Sequence, residues 1–161
     1  MKTYDINTIP EEARDAWMNY INAVNAKDSA QCGEEEDWDD FDKRYKALED
    51  AEKEARHNII PWVGMGCTEI LWSDRRAHTV TDVIRNKSGK ITGVKVRENK
   101  TICKDWYGNE YEILPEIDWT SREEIYTKRR NGMWYMKGQP TEWGSVWLSL
   151  TSHYHSIDPC F

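Results

Sequence analysis

The sequence has few phenylalanines, no closely paired cysteines and no long apolar run. It holds 2 Phe among 161 residues, and its 4 cysteines are widely spaced, with no C-x-x-C pair. No apolar run approaches the length of a membrane-spanning helix, and the opening residues MKTYDINTIPEEA lack the apolar segment of a signal peptide. We therefore expect a soluble, cytoplasmic protein that has reduced thiols and makes no contact with a membrane.

Tryptophan and acidic charge are what the sequence has in excess. Its 9 Trp and 8 Tyr predict an aromatic-rich core and binding surface, because these side chains join a large apolar area to a polar group. The net charge of −7 is unevenly spread: residues 1–60 hold 16 Asp and Glu against 8 Lys and Arg, whereas residues 61–100 hold 4 against 8. This reversal indicates either internal compensation or two faces of different charge.

The first part of the chain has the pattern of two helices. Thr8 followed by Pro10 fits a helix start with Thr8 as the N-cap, and apolar residues at spacings of three and four predict a helix over about 10–26. A second helix is predicted over about 34–57, and its short connection to the first favours an αα-hairpin. The seam of the second helix runs through Trp38, Phe41, Tyr45, Leu48 and Ala55.

The pattern changes to short strands after Pro61. Six or seven strands are predicted among the segments 69–72, 77–84, 91–96, 99–106, 110–114, 124–128, 133–137 and 145–150. Turns are predicted at 86–90 and at Asn131-Gly132, where both residues would take positive φ. Residues 115–122 are expected to be irregular, and residues 151–161 to form a solvated tail.

These patterns predict an α+β fold in two domains. Residues 1–58 would form an acidic helical hairpin, packed on the rest of the chain. Residues 59–161 would form a small antiparallel, strongly bent β-sheet or barrel.

An acidic cluster interleaved with aromatic residues opens the predicted second helix. One hypothesis is a solvated helix start whose aromatic side chains pack inward. The other is a phosphate mimic that docks into the basic groove of a nucleic-acid enzyme, with the aromatic side chains as anchors. The candidate partner-binding residues are Glu34, Glu35, Glu36, Asp37, Trp38, Asp39, Asp40, Phe41 and Asp42.

A basic segment with nearby aromatic residues gives a second candidate surface. Stacking platforms beside positive charge suit a nucleotide or single-stranded nucleic acid, although the overall acidity argues against binding to bulk duplex. The candidate ligand-binding residues are Trp72, Arg75, Arg76, Trp106, Trp134 and Tyr135.

Other possible sites have simpler interpretations. His153 and His155 would share one side of an extended segment and could join Cys160 around zinc, but the spacing matches no established ligand signature. Cys67 is interpreted as a small buried thiol rather than a nucleophile, and Gly64-Met65-Gly66 as a backbone turn rather than a phosphate loop. We therefore predict no catalytic residue, no metal and no cofactor.

Four short segments carry a resemblance. They are Val63-Gly64-Met65-Gly66-Cys67-Thr68, Trp72-Ser73-Asp74-Arg75, the Lys128-Arg129-Arg130-Asn131-Gly132-x-Trp134 segment, and the closing His155-Ser156-Ile157-Asp158-Pro159-Cys160-Phe161. Over roughly residues 60–161 the chain resembles small, mostly uncharacterised proteins of bacteriophage and prophage genomes. The resemblance implies a phage accessory protein acting in the cytoplasm of the bacterial host.

The resemblance and the acidic cluster together lead to one functional hypothesis. The chain would be a non-enzymatic, anti-CRISPR-like inhibitor that binds a host defence nuclease or effector complex through its acidic and aromatic surface. The alternative is a β module that binds a nucleotide signal or single-stranded nucleic acid. The sequence leaves the oligomeric state open.

Overall fold

Two N-terminal helices are followed by seven antiparallel strands, which confirms the predicted α+β class. The structure is a computed structural model, which describes residues 4–33, 36–105, 110–141 and 146–157. The chain divides into a helical unit, Asp5–Ile60, and a β unit formed by Met1–Tyr4 with Pro61–Phe161. In the part of the chain that is described, no helix is long and apolar enough to cross a membrane.

The helical unit contains α1, Glu11–Asp28, and α2, Trp38–His57. The prediction that Thr8 caps α1 is wrong. Thr8 ends a 3-10 turn over Ile6–Thr8 and its hydroxyl donates to the Asp5 carbonyl at 2.7 Å, so the N-cap position falls to Pro10. The buried side chains of α1 are Ala13, Trp17 and Tyr20, which belong to its predicted apolar stripe.

The second helix begins at Trp38, later than the predicted start near 34. Asp37 has extended backbone, with φ −70° and ψ 144°, and is the N-cap. Before it, Glu36 accepts the amide N–H of Gly33 at 3.1 Å and pairs with Arg44 at 2.8 Å, which holds this part of the connection in a turn. Glu34 and Glu35 lie outside the described residues.

The two helices pack together, and an ion pair between them involves the second half of α2. Lys27, in the last turn of α1, forms an ion pair with Glu52, and Arg56 binds the other oxygen of the same carboxylate. The connection between the helices returns along α2, where Arg44 donates to the carbonyl of Gln31 at 2.9 Å. Along α2, all of which is described, Glu52 is the one buried residue. The aromatic side chains in the first turns of α2 are therefore more exposed than their place on the predicted apolar seam suggests.

The β unit is a closed six-stranded barrel with one further strand. Its strands are β1 Gly66–Ile70, β2 Arg75–Arg85, β3 Ile91–Cys103, β4 Tyr111–Ile117, β5 Glu124–Lys128, β6 Trp134–Met136 and β7 Trp147–Ser149. The hydrogen-bonded order is β2-β1-β7-β6-β5-β3, and pairing of β2 with β3 closes the barrel. Strand β4 extends the sheet from the far end of β3.

Strand register determines which side chains fill the barrel. Val80 lies opposite Val96, and Val94 lies opposite Tyr126, so these four side chains share the inner face. All four are fully buried, which confirms the predicted inward Val and outward Lys alternation of β3. The buried side chains of this face are Cys67, Glu69, His78, Val80, Val94, Val96, Tyr126, Trp134 and Leu148.

A polar layer covers the outer face of β1 and β2, and the expected solvated tail is part of it. The amide of Tyr154 donates to the Thr68 hydroxyl at 2.9 Å, and Ser156 forms a β-bridge with Arg75. His155 is buried. The expectation of a solvated tail is therefore wrong for residues 151–157, because their backbone and histidines find partners on the sheet.

Three details of the strand prediction are corrected. Strand β3 runs unbroken from 91 to 103, and residues 115–117 continue β4 instead of being irregular. In the Asn131-Gly132 turn, Gly132 has φ +80° but Asn131 does not have positive φ. The hairpin exists as predicted, closed by the Gly132 N–H to Arg129 carbonyl bond of 3.0 Å, but its turn requires left-handed backbone at one position.

Tyr4 joins the described start of the chain to the barrel. Its hydroxyl accepts the Gly66 N–H at 2.7 Å and lies 3.2 Å from the Gly66 carbonyl. Its ring meets Trp62 edge-on, with centroids 5.2 Å apart. Burial raises the pKa of Tyr4 to about 12, so the hydroxyl keeps its proton and can fill both roles.

Replacement of Gly66 by Ala should destabilise the barrel. A Cβ at this position would lie 2.8 Å from Cγ of His153, and the ring is held by a 3.1 Å bond from its Nε2 to Asn99. We expect Gly66→Ala to lower the free energy of unfolding by about 1–3 kcal/mol, as measured by chemical denaturation. In a His153→Ala background the same change should cost much less, and an equal cost there would contradict this cause.

Replacement of Glu52 by Gln should destabilise the helical unit in a pH-dependent way. Burial alone would raise the pKa of Glu52, but hydrogen bonds from Lys27 and Arg56 outweigh it and hold the pKa below the usual value of a glutamate side chain. The stabilisation is therefore complete above about pH 4.5 and is lost as the pH falls through the folded-state pKa. We expect Glu52→Gln to cost about 1–3 kcal/mol at pH 7, followed by helical circular dichroism, and the difference from the native chain to shrink in acid.

The control for this change is Glu49→Gln. Glu49 is exposed on the same helix and makes no ion pair with any described residue. It should stay within about 0.5 kcal/mol of the native chain at both pH values. A cost for Glu49→Gln equal to that of Glu52→Gln would mean that helix charge, not the buried pair, is responsible.

Candidate functional site

The first turns of α2 carry a row of three aromatic rings. Trp38 is 68% exposed, and its ring meets Phe41 edge-on, with centroids 5.9 Å apart. Phe41 in turn lies 5.8 Å from Tyr45, and both are half-buried. These residues share one side of α2, since they follow each other at three- and four-residue spacing. We call residues 36–42 together with Tyr45 the acidic–aromatic face.

The carboxylates of this face fall into two groups. Glu36 pairs with Arg44, and Asp40 pairs with Lys43 at 2.9 Å. Three further carboxylates are exposed and form no ion pair within the described residues. These three are Asp37, Asp39 and Asp42.

Arg44 neutralises one edge of the face. Its guanidinium hydrogen-bonds Glu36 and lies 5.2 Å from the centre of the Phe41 ring. Hydrogen bonds from Arg44, and then from the amide of Gly33, lower the pKa of Glu36 to about 2. Glu36 is therefore committed to an internal contact, and the charge available to a partner comes from the three unpaired carboxylates.

The residues of the ligand-binding hypothesis do not form one surface. Trp72 is 65% exposed after β1, whereas Trp134 is 5% exposed and points into the barrel. Tyr135, next in sequence, has the opposite orientation because side chains alternate along a strand. The Arg75 guanidinium is occupied by the carbonyls of Leu71 and Asp74, at 3.0 and 2.8 Å. Trp106 lies outside the described residues, and among the others Trp134 cannot serve as an exposed stacking platform.

The C-terminal histidines both contact the sheet, whereas the sequence predicts only that they share one side of a solvated tail. His153 donates from Nε2 to Asn99, and His155 accepts the amide of Ala77 at 3.5 Å. Burial lowers the pKa of His155, which favours the neutral ring that this acceptor role needs. Asp158 and Cys160 lie outside the described residues, so the suggested zinc set is not assembled from what is described.

A buried group of titratable side chains, which sequence reasoning missed, occupies the barrel interior. It consists of Glu69 from β1, His78 from β2, and Glu124 and Tyr126 from β5. Glu69 is 2% exposed and His78 is 3% exposed. We call these four residues the barrel cluster.

Hydrogen bonds hold the barrel cluster together. The Tyr126 hydroxyl donates to Oε1 of Glu69 at 2.5 Å and lies 3.3 Å from Oε2 of Glu124. Nδ1 of His78 lies 3.0 Å from the Arg76 carbonyl, and because a carbonyl can only accept, Nδ1 carries the proton. Nε2 of His78 therefore presents its lone pair to Glu124, whose Oε2 is 3.8 Å away.

Burial shifts the protonation of the cluster. It lowers the pKa of His78, so the ring stays neutral. It also raises the pKa of Glu124, and the neighbouring Glu69 adds to the rise. Desolvation, with the two nearby carboxylates, raises the pKa of Tyr126 and keeps its hydroxyl a donor. Neither Glu69 nor Glu124 forms a salt bridge with a described Lys or Arg side chain.

A cavity of about 200 Å³ meets the cluster at Glu124. Its lining is formed by Arg122, Glu123, Glu124, Ile125, Met136 and Lys137. A water molecule occupies roughly 30 Å³ of liquid, so the cavity can hold several. Glu124 therefore connects the buried cluster to a space that solvent and small ions can fill.

A signal for the cluster exists in the sequence, although it is weak. Glu69 is two residues from Cys67 and His78 is two residues from Val80, and side chains two residues apart on a strand point to the same face. Glu69 and His78 are therefore polar residues at inward-facing positions. Glu69 and Glu124 are 55 positions apart in the sequence. No local pattern predicts that they meet, because their proximity depends on closure of the barrel.

Replacement of Tyr126 by Phe should destabilise the β unit. The change removes one hydroxyl and leaves the buried carboxylate of Glu69 without its 2.5 Å donor, which should cost about 1–3 kcal/mol in chemical denaturation. Tyr135→Phe is the control, since the hydroxyl of Tyr135 makes a 3.5 Å contact with the exposed Asn131. Equal losses in the two variants would contradict a specific role for the Tyr126 hydroxyl.

Comparison with protein-family models, with curated proteins and with solved structures finds no match to this chain. The likeness to phage and prophage proteins therefore remains a prediction from the quoted segments.

Proposed function

We propose that this chain is a non-enzymatic inhibitor that binds a nucleic-acid enzyme through the acidic–aromatic face. The observation that carries the proposal is Trp38, which is 68% exposed on an ordered helix. Beside it lie three carboxylates that pair with no described cation. An anchor of this size next to unneutralised charge suits a partner surface that is basic and has an apolar pocket.

The aromatic row supplies the affinity in this proposal. Trp is among the residues that contribute most to protein interfaces, because it removes a large rigid surface from water. Phe41 and Tyr45 lie behind Trp38 and are half-buried, so they support its position and extend the apolar area. The helix keeps all three rings in fixed relation, which limits the entropy lost on binding.

The carboxylates supply charge complementarity. Asp39 and Asp42 are three positions apart on α2, an axial rise of about 4.5 Å. The phosphates of one nucleic-acid strand follow each other at a rise of about 3.4 Å. Side chains three positions apart are neighbours on a helix surface, so both carboxylates could meet cations of one phosphate-binding groove, and the negative field would also speed association.

The expected partner is a host defence nuclease or effector complex. This assignment rests on the phage resemblance together with the charge of the face, since such nucleases hold guide and target strands in positively charged channels. Binding there would block nucleic acid from the channel without any reaction by the inhibitor. The site of action would be the cytoplasm of the bacterial host.

The test is inhibition of purified RNA-guided nucleases by the whole chain. A panel of such enzymes cleaves a labelled target DNA, and the native chain should inhibit at least one at near-stoichiometric concentration. Trp38→Ala should weaken inhibition at least tenfold because it removes the anchor. The triple change of Asp37, Asp39 and Asp42 to Asn should weaken it by a similar factor and reduce its dependence on salt.

Two matched variants control for surface and charge. Trp119→Ala removes a tryptophan that is 69% exposed in the β unit. The triple neutralisation of Glu49, Asp50 and Glu54 removes the same charge from the second half of α2. Both should inhibit within about twofold of the native chain. Inhibition that survives changes in the acidic–aromatic face, or a panel that the native chain does not inhibit, would contradict the proposal.

A further inference from the structure

The barrel cluster has the donor set of a metal site. Glu69, His78 and Glu124 each offer one ligand atom, and these atoms lie within 4.8 Å of one another. Two carboxylates and one imidazole suit a first-row divalent cation such as Zn²⁺, Mn²⁺ or Fe²⁺. Acidic residues alone are common without a metal, so the orientation of the histidine is what distinguishes this cluster.

His78 is oriented as a ligand. Its Nδ1 is bound to the Arg76 carbonyl at 3.0 Å, the arrangement that fixes the tautomer and the ring orientation of metal-binding histidines. Its Nε2 faces the carboxylates and makes no hydrogen bond with any described residue, since Glu124 at 3.8 Å is beyond that range. The ring is 3% exposed. The lone pair of Nε2 is therefore buried beside two carboxylate groups, and a cation bound between the three groups would satisfy all of them.

Glu69 is oriented by a further contact. The Tyr126 hydroxyl donates to its Oε1 at 2.5 Å, which leaves Oε2 for another partner. Carboxylate ligands of metals are commonly held by such hydrogen bonds from neighbouring groups. Each of the two deeply buried members of the donor set therefore has one polar atom held by a hydrogen bond, Nδ1 of His78 and Oε1 of Glu69, and a second polar atom left for another partner.

The dimensions of the cluster fit one ion after small movements. Ligand atoms about 2.0–2.2 Å from a tetrahedral zinc lie roughly 3.4 Å apart. The distance from His78 Nε2 to Glu124 Oε2 is 3.8 Å, so this pair needs to close by a few tenths of an ångström. The pairs that involve Glu69 lie within 4.8 Å, so they need to close by at most about 1.4 Å. The Glu124 side chain is 21% exposed and also lines the cavity, so it can move toward the ion. The cavity can supply water for the remaining coordination position.

A proton alone does not satisfy the cluster. A proton shared by Glu69 and Glu124 would remove one negative charge and would leave the other carboxylate charge in the interior; in the described geometry Nε2 of His78 lies 3.8 Å from Glu124, beyond hydrogen-bond distance. A divalent cation accepts all three ligand atoms at once and offsets both carboxylates.

We propose that Glu69, His78 and Glu124 bind one first-row divalent metal ion in the barrel interior, with Zn²⁺ as the best match and Tyr126 as a positioning residue. The site lies in the β unit and is independent of the acidic–aromatic face. It also gives a reason for keeping two carboxylates in an interior that could otherwise be filled by apolar side chains.

The test begins with the full-length protein after its metals are removed by a chelator. Zn²⁺ and Co²⁺ are then titrated and followed by calorimetry and by the visible absorption of Co²⁺. We expect one ion per chain and a rise in Tm of roughly 5 °C or more when the metal is 100-fold above its Kd. Mg²⁺ should bind at least 100-fold more weakly, because a neutral imidazole is a poor ligand for a hard cation.

Three variants distinguish residues of the proposed metal site from a histidine elsewhere in the chain. His78→Ala should weaken Zn²⁺ binding at least 100-fold, and Tyr126→Phe should weaken it about 10–100-fold by releasing Glu69. His57→Ala, in the helical unit, is the matched histidine control and should stay within twofold of the native chain. Full affinity in His78→Ala would overturn the proposal. So would failure of the native chain to bind Zn²⁺, Mn²⁺, Fe²⁺ or Co²⁺ at 0.1 mM, a concentration about 100-fold above the Kd of a micromolar site.

If His78→Ala does not fold, X-ray absorption spectroscopy of the zinc-loaded native chain identifies the atoms that bind the metal. One imidazole with oxygen ligands is the expected set. Two imidazoles or any sulfur ligand would overturn the proposal and would place the metal at His153, His155 and a cysteine instead. If the metal-free chain still inhibits a nuclease, the proposal that the chain binds a metal is not contradicted. The two proposals can therefore fail separately.

Discussion

Closure of six strands into a barrel is the constraint on which the β unit depends. Pairing of β2 with β3 completes the ring, and every inward side chain must then share one small interior. Most of that interior is filled by Val80, Val94, Val96 and Leu148, with Trp134 on β6. The same closure brings Glu69 and Glu124 together, although they come from strands that are not neighbours. Glu69 and His78, which are buried, must be satisfied by neighbouring polar groups or by a bound ion, whereas Glu124 borders the cavity that solvent can fill.

The two faces of β1 show how one strand serves two environments. On the inner face Glu69 accepts a bond from Tyr126, and on the outer face Thr68 accepts the amide of Tyr154. Adjacent residues thus belong to separate polar networks, with one strand backbone between them. This arrangement explains why β1 is buried along nearly its whole length without having the continuous apolar sequence that a two-sided strand usually has.

Much of the architecture can be predicted from local sequence patterns, but the barrel cluster cannot. The alternation around Val94 and Val96 predicts strand β3, and the turn at 86–90 predicts its hairpin with β2. Local pattern also identifies Trp38 and its acidic neighbours. It cannot identify the barrel cluster, because a single Glu on a strand looks like an outward side chain until the register is known. Local pattern also fails to place His153 and His155 on the sheet, because their partners Asn99 and Ala77 are distant in sequence.

The position of Tyr4 has a consequence for how the chain is connected. Tyr4 belongs to the β unit and touches Trp62, with ring centroids 5.2 Å apart, so the segment between them leaves and rejoins the barrel at nearly one point. In sequence, Asp5–Ile60 therefore lies between two parts of the β unit that contact each other. A segment placed in this way can be lengthened or exchanged without changing strand connectivity. The sequences of the β unit and the helical unit can therefore change separately. The β unit can keep its interior residues while the helical unit gains new surface residues.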